Sequence, residues 1–345
     1  FQILPDFLGS DQPRTYALMA MTTSEERSSG GLIGSVGVVT TDNGKIGIGD
    51  FRSNGEYIPY GAGDPTEDEQ RIFRQWGPLN MSFDVRDLAV YPDTSRSAEG
   101  MRAIWQRTPW GSNTQLDGVL MVDPVFLQEL TKISGNVTIP DGTVLTGDNT
   151  AEFLLNKVYV DYPVSMQDAL FAQVAEQAVG SMFSNIDLAK LTKVAQLMGS
   201  MAEGRHFSMY AFDETAEKTI SDAGFTAQTP SSEEHPQVGV YVTEQNPSKM
   251  GWYIHRTSKV TRSTCGNDGS QTYHVEYKMT NTLENSQIGA LTSYILGSGG
   301  QGVEKTLIYA PAGGSISNLK ISGGSVTESR QETLNGKPCM RAMPR

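Results

Sequence analysis

The run TYALMAMTTSEERSSGGLIGSVGVVTTDNGKIGIGDF, from Thr15 to Phe51, decides the fold. Its apolar pieces, Thr15–Met21 (TYALMAM) and Leu32–Thr40 (LIGSVGVVT), have strand length and are punctuated by glycine. Asp42-Asn43-Gly44, between Val39 and Ile46, predicts a tight hairpin, because Asn-Gly accepts the positive φ that such turns need. Lys45–Phe51 (KIGIGDF) then reads as the returning strand. The polar stretch Thr22–Gly31 (TTSEERSSGG) sets Glu25, Glu26 and Arg27 at the C-terminal end of the first strand.

Working outward, Gly118–Val122 (GVLMV) is a short apolar strand ended by Asp123-Pro124, where a proline in the first turn starts a helix that runs to about Ile133 and closes at Ser134-Gly135. Gly147–Val158, with Asp148 as cap, and Ser165–Phe183 follow as helices. Asp187–Ala202 is a further one, with Asp187 as cap and Leu188, Leu191, Val194 and Leu197 as its apolar stripe. After about Phe207 the pattern changes to short alternating runs, Val238–Thr243, Trp252–His255, Thr272–Thr280 and Lys305–Ala310, separated by Gly/Ser/Asn-rich turns. The expectation is an α/β domain over 1–225, a linker at 226–236 and an antiparallel β-sandwich domain, truncated, over 237–345.

The composition fits such a chain. With 345 residues and 38% hydrophobic content it can bury a sizeable core. Its 27 Lys+Arg against 39 Asp+Glu, a net charge of -12, argues against sequence-independent nucleic-acid binding, since no broad face can displace phosphate counterions. No apolar run reaches the roughly 18 residues of a membrane span. A start at Phe1 without Met suggests a fragment whose targeting or anchoring segment has been removed. The two cysteines, Cys265 and Cys339, are too few for a metal site; a disulfide between them is favoured over two unpaired buried thiols.

Phosphate-loop, nucleophile-elbow and zinc-protease motifs are absent. His206, His235, His255 and His274 are scattered singly. The informative polar groups are Glu25 and Arg27 at one strand exit and Asp50 and Arg52 at another, since ligands of open α/β sheets bind outside strand ends. Two converging guanidinium groups would grip a phosphate or carboxylate in a bidentate fork, and the carboxylates would anchor Mg²⁺ or act as a base. The competing reading pairs Arg27 and Arg52 with neighbouring carboxylates as ordinary ion pairs. Four tryptophans, Trp76, Trp105, Trp110 and Trp252, are either core residues or sugar-stacking platforms, and Trp105 and Trp110 in QRTPWGSN suggest a loop rim. Phe153, Leu154, Phe171 and Phe183 hint at a polyprenyl or lipid pocket between sheet and helices, although core packing explains them better.

The run Thr15–Ile46 resembles the opening signature of the actinobacterial domain-of-unknown-function family 4012. Leu116–Leu130 (LDGVLMVDPVFLQEL), Asn136–Tyr159 and Asn246–Ile254 (NPSKMGWYI) resemble the same family. Its N-terminal half in turn resembles the LytR-CpsA-Psr phosphotransferases, which are extracytoplasmic enzymes that move glycopolymers from polyprenyl-pyrophosphate carriers onto cell-wall sugars. That resemblance implies a LytR-CpsA-Psr-like α/β/α sandwich. Arg27-Ser28-Ser29 and Arg52 match the family's two arginine positions, although Ser29 stands where a metal-holding Asp is expected. Asn156, Lys157, Gln167 and Asp168 replace the family's later arginines, so the fold carries over better than the activity.

Two functions are weighed: the first follows from the resemblance, and the lost arginines with the four tryptophans favour the second. In the first, a membrane-anchored cell-envelope enzyme transfers or cleaves glycopolymers. Arg27 and Arg52 would bind the donor, Glu25 with Asp50 or Asp168 would act as base or Mg²⁺ ligand, and Lys157, Gln167, Trp105 and Trp110 would contact substrate. In the second, a non-catalytic surface protein binds cell-wall or capsular glycan, including polyprenyl-linked forms.

Overall fold

The computed structural model describes residues 4–74, 77–185 and 187–344. Strands β1 (Arg14–Arg27) and β2 (Gly30–Asp42) form a long antiparallel hairpin, extended by β3 (Lys45–Ile48) and β4 (Arg52–Ser53), both paired to β2. On the other side of β1 lies β5 (Gly118–Val122), in parallel register from Tyr16 opposite Gly118 to Ala20 opposite Val122. The short hairpin β6 (Val137–Thr138) and β7 (Val144–Leu145) stands apart, and β8 (Phe207–Ala211) closes the main sheet antiparallel to β5. The sheet is therefore mixed, in the order β3-β2-β1-β5-β8.

Why β1 and β5 are apolar at nearly every position follows from period-2 alternation under cover on both faces. Tyr16, Leu18, Ala20, Leu120 and Val122 point into a core built with helices Pro124–Ser134, Val164–Phe183 and Leu188–Glu203. Ala17, Met19, Met21, Val119 and Met121 point into a second core with helix Thr94–Trp105 and the turn Val85–Val90. The Asn43-Gly44 turn has φ of 47° and 80°, the left-handed pair that the hairpin requires.

The first strand continues well past Met21. A bulge between Thr22 and Glu26 lets it absorb the polar run before a two-residue turn at Ser28-Ser29. Two glycines permit the crowding at this bulge: a Cβ on Gly31 would meet the Thr22 carbonyl oxygen at 1.9 Å, and one on Gly251 would meet that of Thr23 at 2.0 Å. Gly251 belongs to the C-terminal half, so the bulge is also where that half docks.

The C-terminal half contains an antiparallel sheet, in the order β13-β14-β12-β9, of β9 (Gly239–Glu244), β12 (Glu304–Tyr309), β13 (Val326–Leu334) and β14 (Lys337–Pro344). A separate two-stranded ribbon, β10 (Ile254–Cys265) with β11 (Gln271–Asn281), extends largely exposed. The four-stranded sheet packs on the α/β half: Leu307, Tyr309, Leu334 and Cys339 share the second core with Met19 and Ile33. The connecting segment is itself held down, because Thr229 donates its N–H and hydroxyl to Asp93, at 2.6 and 3.0 Å.

Several local expectations are corrected. The Cys265–Cys339 disulfide does not form; Cys265 is exposed at the tip of the ribbon and Cys339 is buried in β14, on different sheets. The helix expected over 147–158 covers 150–161 with a π-bulge at Phe153–Lys157, and Asn149 rather than Asp148 precedes it. Helix Thr94–Trp105, β8, helix Glu214–Asp222, β13 and β14 escaped the sequence reading. No described helix is long and apolar enough to cross a membrane.

Candidate functional site

Arg27 does end β1, but its guanidinium is buried, 4% exposed, and committed. Nε and Nη2 donate to Asp87 Oδ1 at 3.1 and 3.0 Å, and Nη1 donates to the Glu26 carbonyl. Asp87 Oδ2 accepts from the Ser82 N–H and hydroxyl at 2.8 and 2.7 Å. Although burial opposes it, the Arg27 charge and these hydrogen bonds leave the Asp87 carboxyl below its ordinary value. Arg52 pairs with Glu56 at 2.9 Å and Asp50 at 3.5 Å, and its guanidinium lies 4.3 Å from the centre of the Trp110 ring.

The two arginines do not converge. Arg52 lies opposite Val36, which lies opposite Met19, whereas Arg27 lies opposite Gly30. They are offset by the length of β1 from Met19 to Arg27, on the order of 20 Å. Glu25 and Asp50 are separated similarly: Glu25 sits in the bulge and is ion-paired with Lys249, while Asp50, 83% exposed, follows Gly49, which bonds Val38. A shared Mg²⁺ does not fit this arrangement, nor does a glycosidase pair, which needs carboxyls about 5–9.5 Å apart. Among the described residues no group of three or more His, Cys, Asp or Glu side chains is arranged to hold a metal ion.

The remaining nominated residues are dispersed. Trp105 is a core residue, not a rim residue; it is 2% exposed and its Nε1 donates to the Thr114 carbonyl at 2.7 Å. Trp110 is half-buried against the edges of Tyr57 and Tyr60 and covered by Arg52, so its ring is not an open sugar platform. Gln167 is buried between the Tyr162 carbonyl and the Tyr294 hydroxyl. Asp168 and Lys157 are exposed, Lys157 lying 3.8 Å from Glu152. Trp252 is half-buried, and Trp76 lies outside the described residues.

What the end of β1 gathers is a joint. Lys249, facing Glu25, also lies 5.3 and 5.0 Å from the ring centres of Tyr159 and Tyr294. Arg256 bridges Glu26 and Glu304, and Tyr277 donates to Glu304 at 2.7 Å. Ser248 donates to Glu244 beside them. Burial pushes the Glu26 and Glu244 carboxyls up to about 8. Every cation here already faces a carboxylate, which makes the cluster a seal between the halves. The Glu-Glu-Arg triplet was legible in the sequence, but its partners were not, since Asp87 lies 60 residues from Arg27 and Lys249 lies 224 from Glu25.

The other face of the sheet carries a cavity of about 240 Å³. Leu18, Leu120 and Val122 form its floor, and Met182, Leu191, Val194 and Met198 belong to the helices above it. Among the described residues every lining side chain is apolar. Of the residues that hinted at a lipid pocket, Phe183 lines it, whereas Phe153, Leu154 and Phe171 are buried in the adjoining core. Tyr57 and Trp110 beside Arg52, and the turn carrying Asp87, belong to the opposite face. Neither arginine therefore faces the cavity.

These features define a mixed-sheet α/β protein with an apolar cavity on one face and internally paired arginines toward the other. Residues 11–159 match the model of a family described as protein of unknown function (DUF4012), the family the sequence resembles. The chain is also similar to solved structures of protein gbs0355 from Streptococcus agalactiae (14% identity, 63% of this chain and 74% of that one, TM-score 0.35). Further similar structures are TagV from B. subtilis (13%, 61% and 79%, TM-score 0.31) and the transcriptional regulator yvhJ from Bacillus subtilis (14%, 77% and 90%, TM-score 0.28). Among curated proteins none matches.

Proposed function

We propose that this is an extracytoplasmic cell-envelope protein that binds polyprenyl-linked glycan without transferring it, holding part of the prenyl chain in the cavity. The observation that carries the reading is the wholly apolar lining of a 240 Å³ space between sheet and helices. An apolar cavity of about 150 Å³ stays dry and takes benzene, so this one has room for on the order of ten carbons, two isoprene units. The envelope setting rests on the family resemblance. Against transfer stands the pairing of Arg27 with Asp87 and of Arg52 with Glu56 and Asp50: a pyrophosphate would have to displace both sets of partners, some 20 Å apart.

Titration with geraniol, a ten-carbon prenyl alcohol, tests the reading. Binding by calorimetry, with a rise in melting temperature by mass action, is expected. Ala195→Phe, which fills the cavity, should abolish it. Release of glycan from a lipid-linked donor, lost on Arg27→Ala or Arg52→Ala, would establish transfer and overturn the proposal.

A further inference from the structure

Lys249 crosses the seam between the two halves, and its amine meets Glu25 in the bulge of β1. Both backbones are fixed where they meet. The Lys249 N–H donates to the Ile295 carbonyl at 2.8 Å. A Cβ on Gly251 would meet the Thr23 carbonyl oxygen at 2.0 Å and the Ser24 Cα at 2.7 Å, so only glycine lets this segment press on the residues beside Glu25. From the other side, the Ser24 hydroxyl donates to the Leu155 carbonyl at 2.6 Å, and the Thr22 and Tyr159 hydroxyls share a hydrogen bond of 3.0 Å. The rings of Tyr159 and Tyr294, 6.5 Å apart and inclined at 64°, both border the amine. The Lys249 and Glu25 side chains are 11% and 17% exposed, so little water reaches either.

Of the cations in this seal, Lys249 carries the nucleophile. Arg27 and Arg256 are guanidinium groups and stay charged. Burial lowers the Lys249 amine to about 8, which brings its neutral, nucleophilic form within reach. The tyrosine rings attract the ammonium and so hold it on the carboxylate. A proton passing from one to the other removes two buried charges at once. Lys305, buried in β12, shows the contrast. Its amine is also lowered, to about 7, but it faces the Ile72 carbonyl at 2.6 Å, which offers no carboxyl to acylate it.

We propose that Lys249 and Glu25 are a self-modifying pair that condenses to an isopeptide bond, a covalent clasp across the seam. The ammonium first gives a proton to the carboxylate. The neutral Nζ then attacks Cδ; the Nζ–Cδ bond forms and the Cδ–OH bond breaks. The hydroxyl takes one proton from Nζ and leaves as water, so no other reactant is needed. A neutral amide replaces a buried ion pair and its desolvation cost, which favours the condensation here and not in water. A bond between positions 224 residues apart also restricts the unfolded chain, as an ion pair cannot.

The intact mass of the denatured full chain tests it. The wild type should weigh one water less than its sequence. A tryptic digest should hold peptide 15–27 joined to the peptide carrying Lys249, uncut after that lysine. Lys249→Arg keeps a positive charge facing Glu25 but has no amine to acylate, so it should show its full sequence mass and melt below the wild type. A wild type at full sequence mass would mean an ordinary ion pair and overturn the proposal. So would a water loss that persists in Lys249→Arg or that maps away from 15–27. Should Lys249→Arg fail to fold, the digest of the wild type decides alone.

Discussion

Replacing Arg27 separates a structural arginine from a ligand-binding one. Arg27 supplies two charge-assisted hydrogen bonds to one oxygen of Asp87, while Ser82 supplies two to the other. Arg27→Ala leaves the Asp87 carboxylate buried with half of its donors gone. Hydrogen bonds to charged groups contribute about 1.5–3 kcal/mol each, about 3–6 kcal/mol for the two, and breaking a buried ion pair from one side costs about 3–5 kcal/mol, so the two routes agree on a loss of several kcal/mol. Arg52→Ala is the internal control, because its partners Asp50 and Glu56 are well exposed and the loss should stay below about 1 kcal/mol. Urea unfolding of the two variants beside the wild type measures both. Substituting both partners, as Arg27→Met with Asp87→Leu, should recover part of the loss, since an apolar pair leaves no unpaired charge. An Arg27→Ala protein as stable as Arg52→Ala would refute the reasoning and return Arg27 to the list of ligand contacts.

The Glu244 carboxyl, raised by burial to about 8 from 4.5, makes the folded state bind a proton more tightly than the unfolded one. Its contribution is therefore fully present below about pH 4.5 and lost as pH rises through 8; Glu244→Gln should flatten urea midpoints measured across that window. Arg205 adopts φ of 64° just after helix Leu188–Glu203, and Arg205→Gly should stabilise the protein by about 1 kcal/mol in the same assay. Thiol titration of the native protein should register Cys265 alone, with Cys339 reacting only after denaturation, whereas a Cys265–Cys339 disulfide would leave neither reactive. Geraniol should protect the wild type but not Ala195→Phe against thermal unfolding.

The first strands, the Asn43-Gly44 turn, the capped helix after Asp123 and the antiparallel C-terminal half were legible because each is written in contiguous residues. Glycine and Asn-Gly set a turn locally, and a cap needs only its own first turn. Helix Thr94–Trp105 was not legible, because Arg96, Arg102 and Gly100 blur its apolar stripe and its burial comes from packing under the sheet. The polar run Thr22–Arg27 read as the exit of the first strand rather than its continuation, since its residues are satisfied by Asp87, Lys249 and Arg256 rather than by water.

The sequence by itself determined the sheet's central hairpin, the helices that cover one of its faces and the presence of Glu25, Arg27, Asp50 and Arg52 near strand ends. Tertiary structure alone decided what those groups do. A guanidinium's role depends on which carboxylate reaches it first, and Asp87 lies far from Arg27 along the chain. The cavity is likewise a product of packing: a void is the place where neighbouring side chains fail to meet, and no single segment of sequence records it.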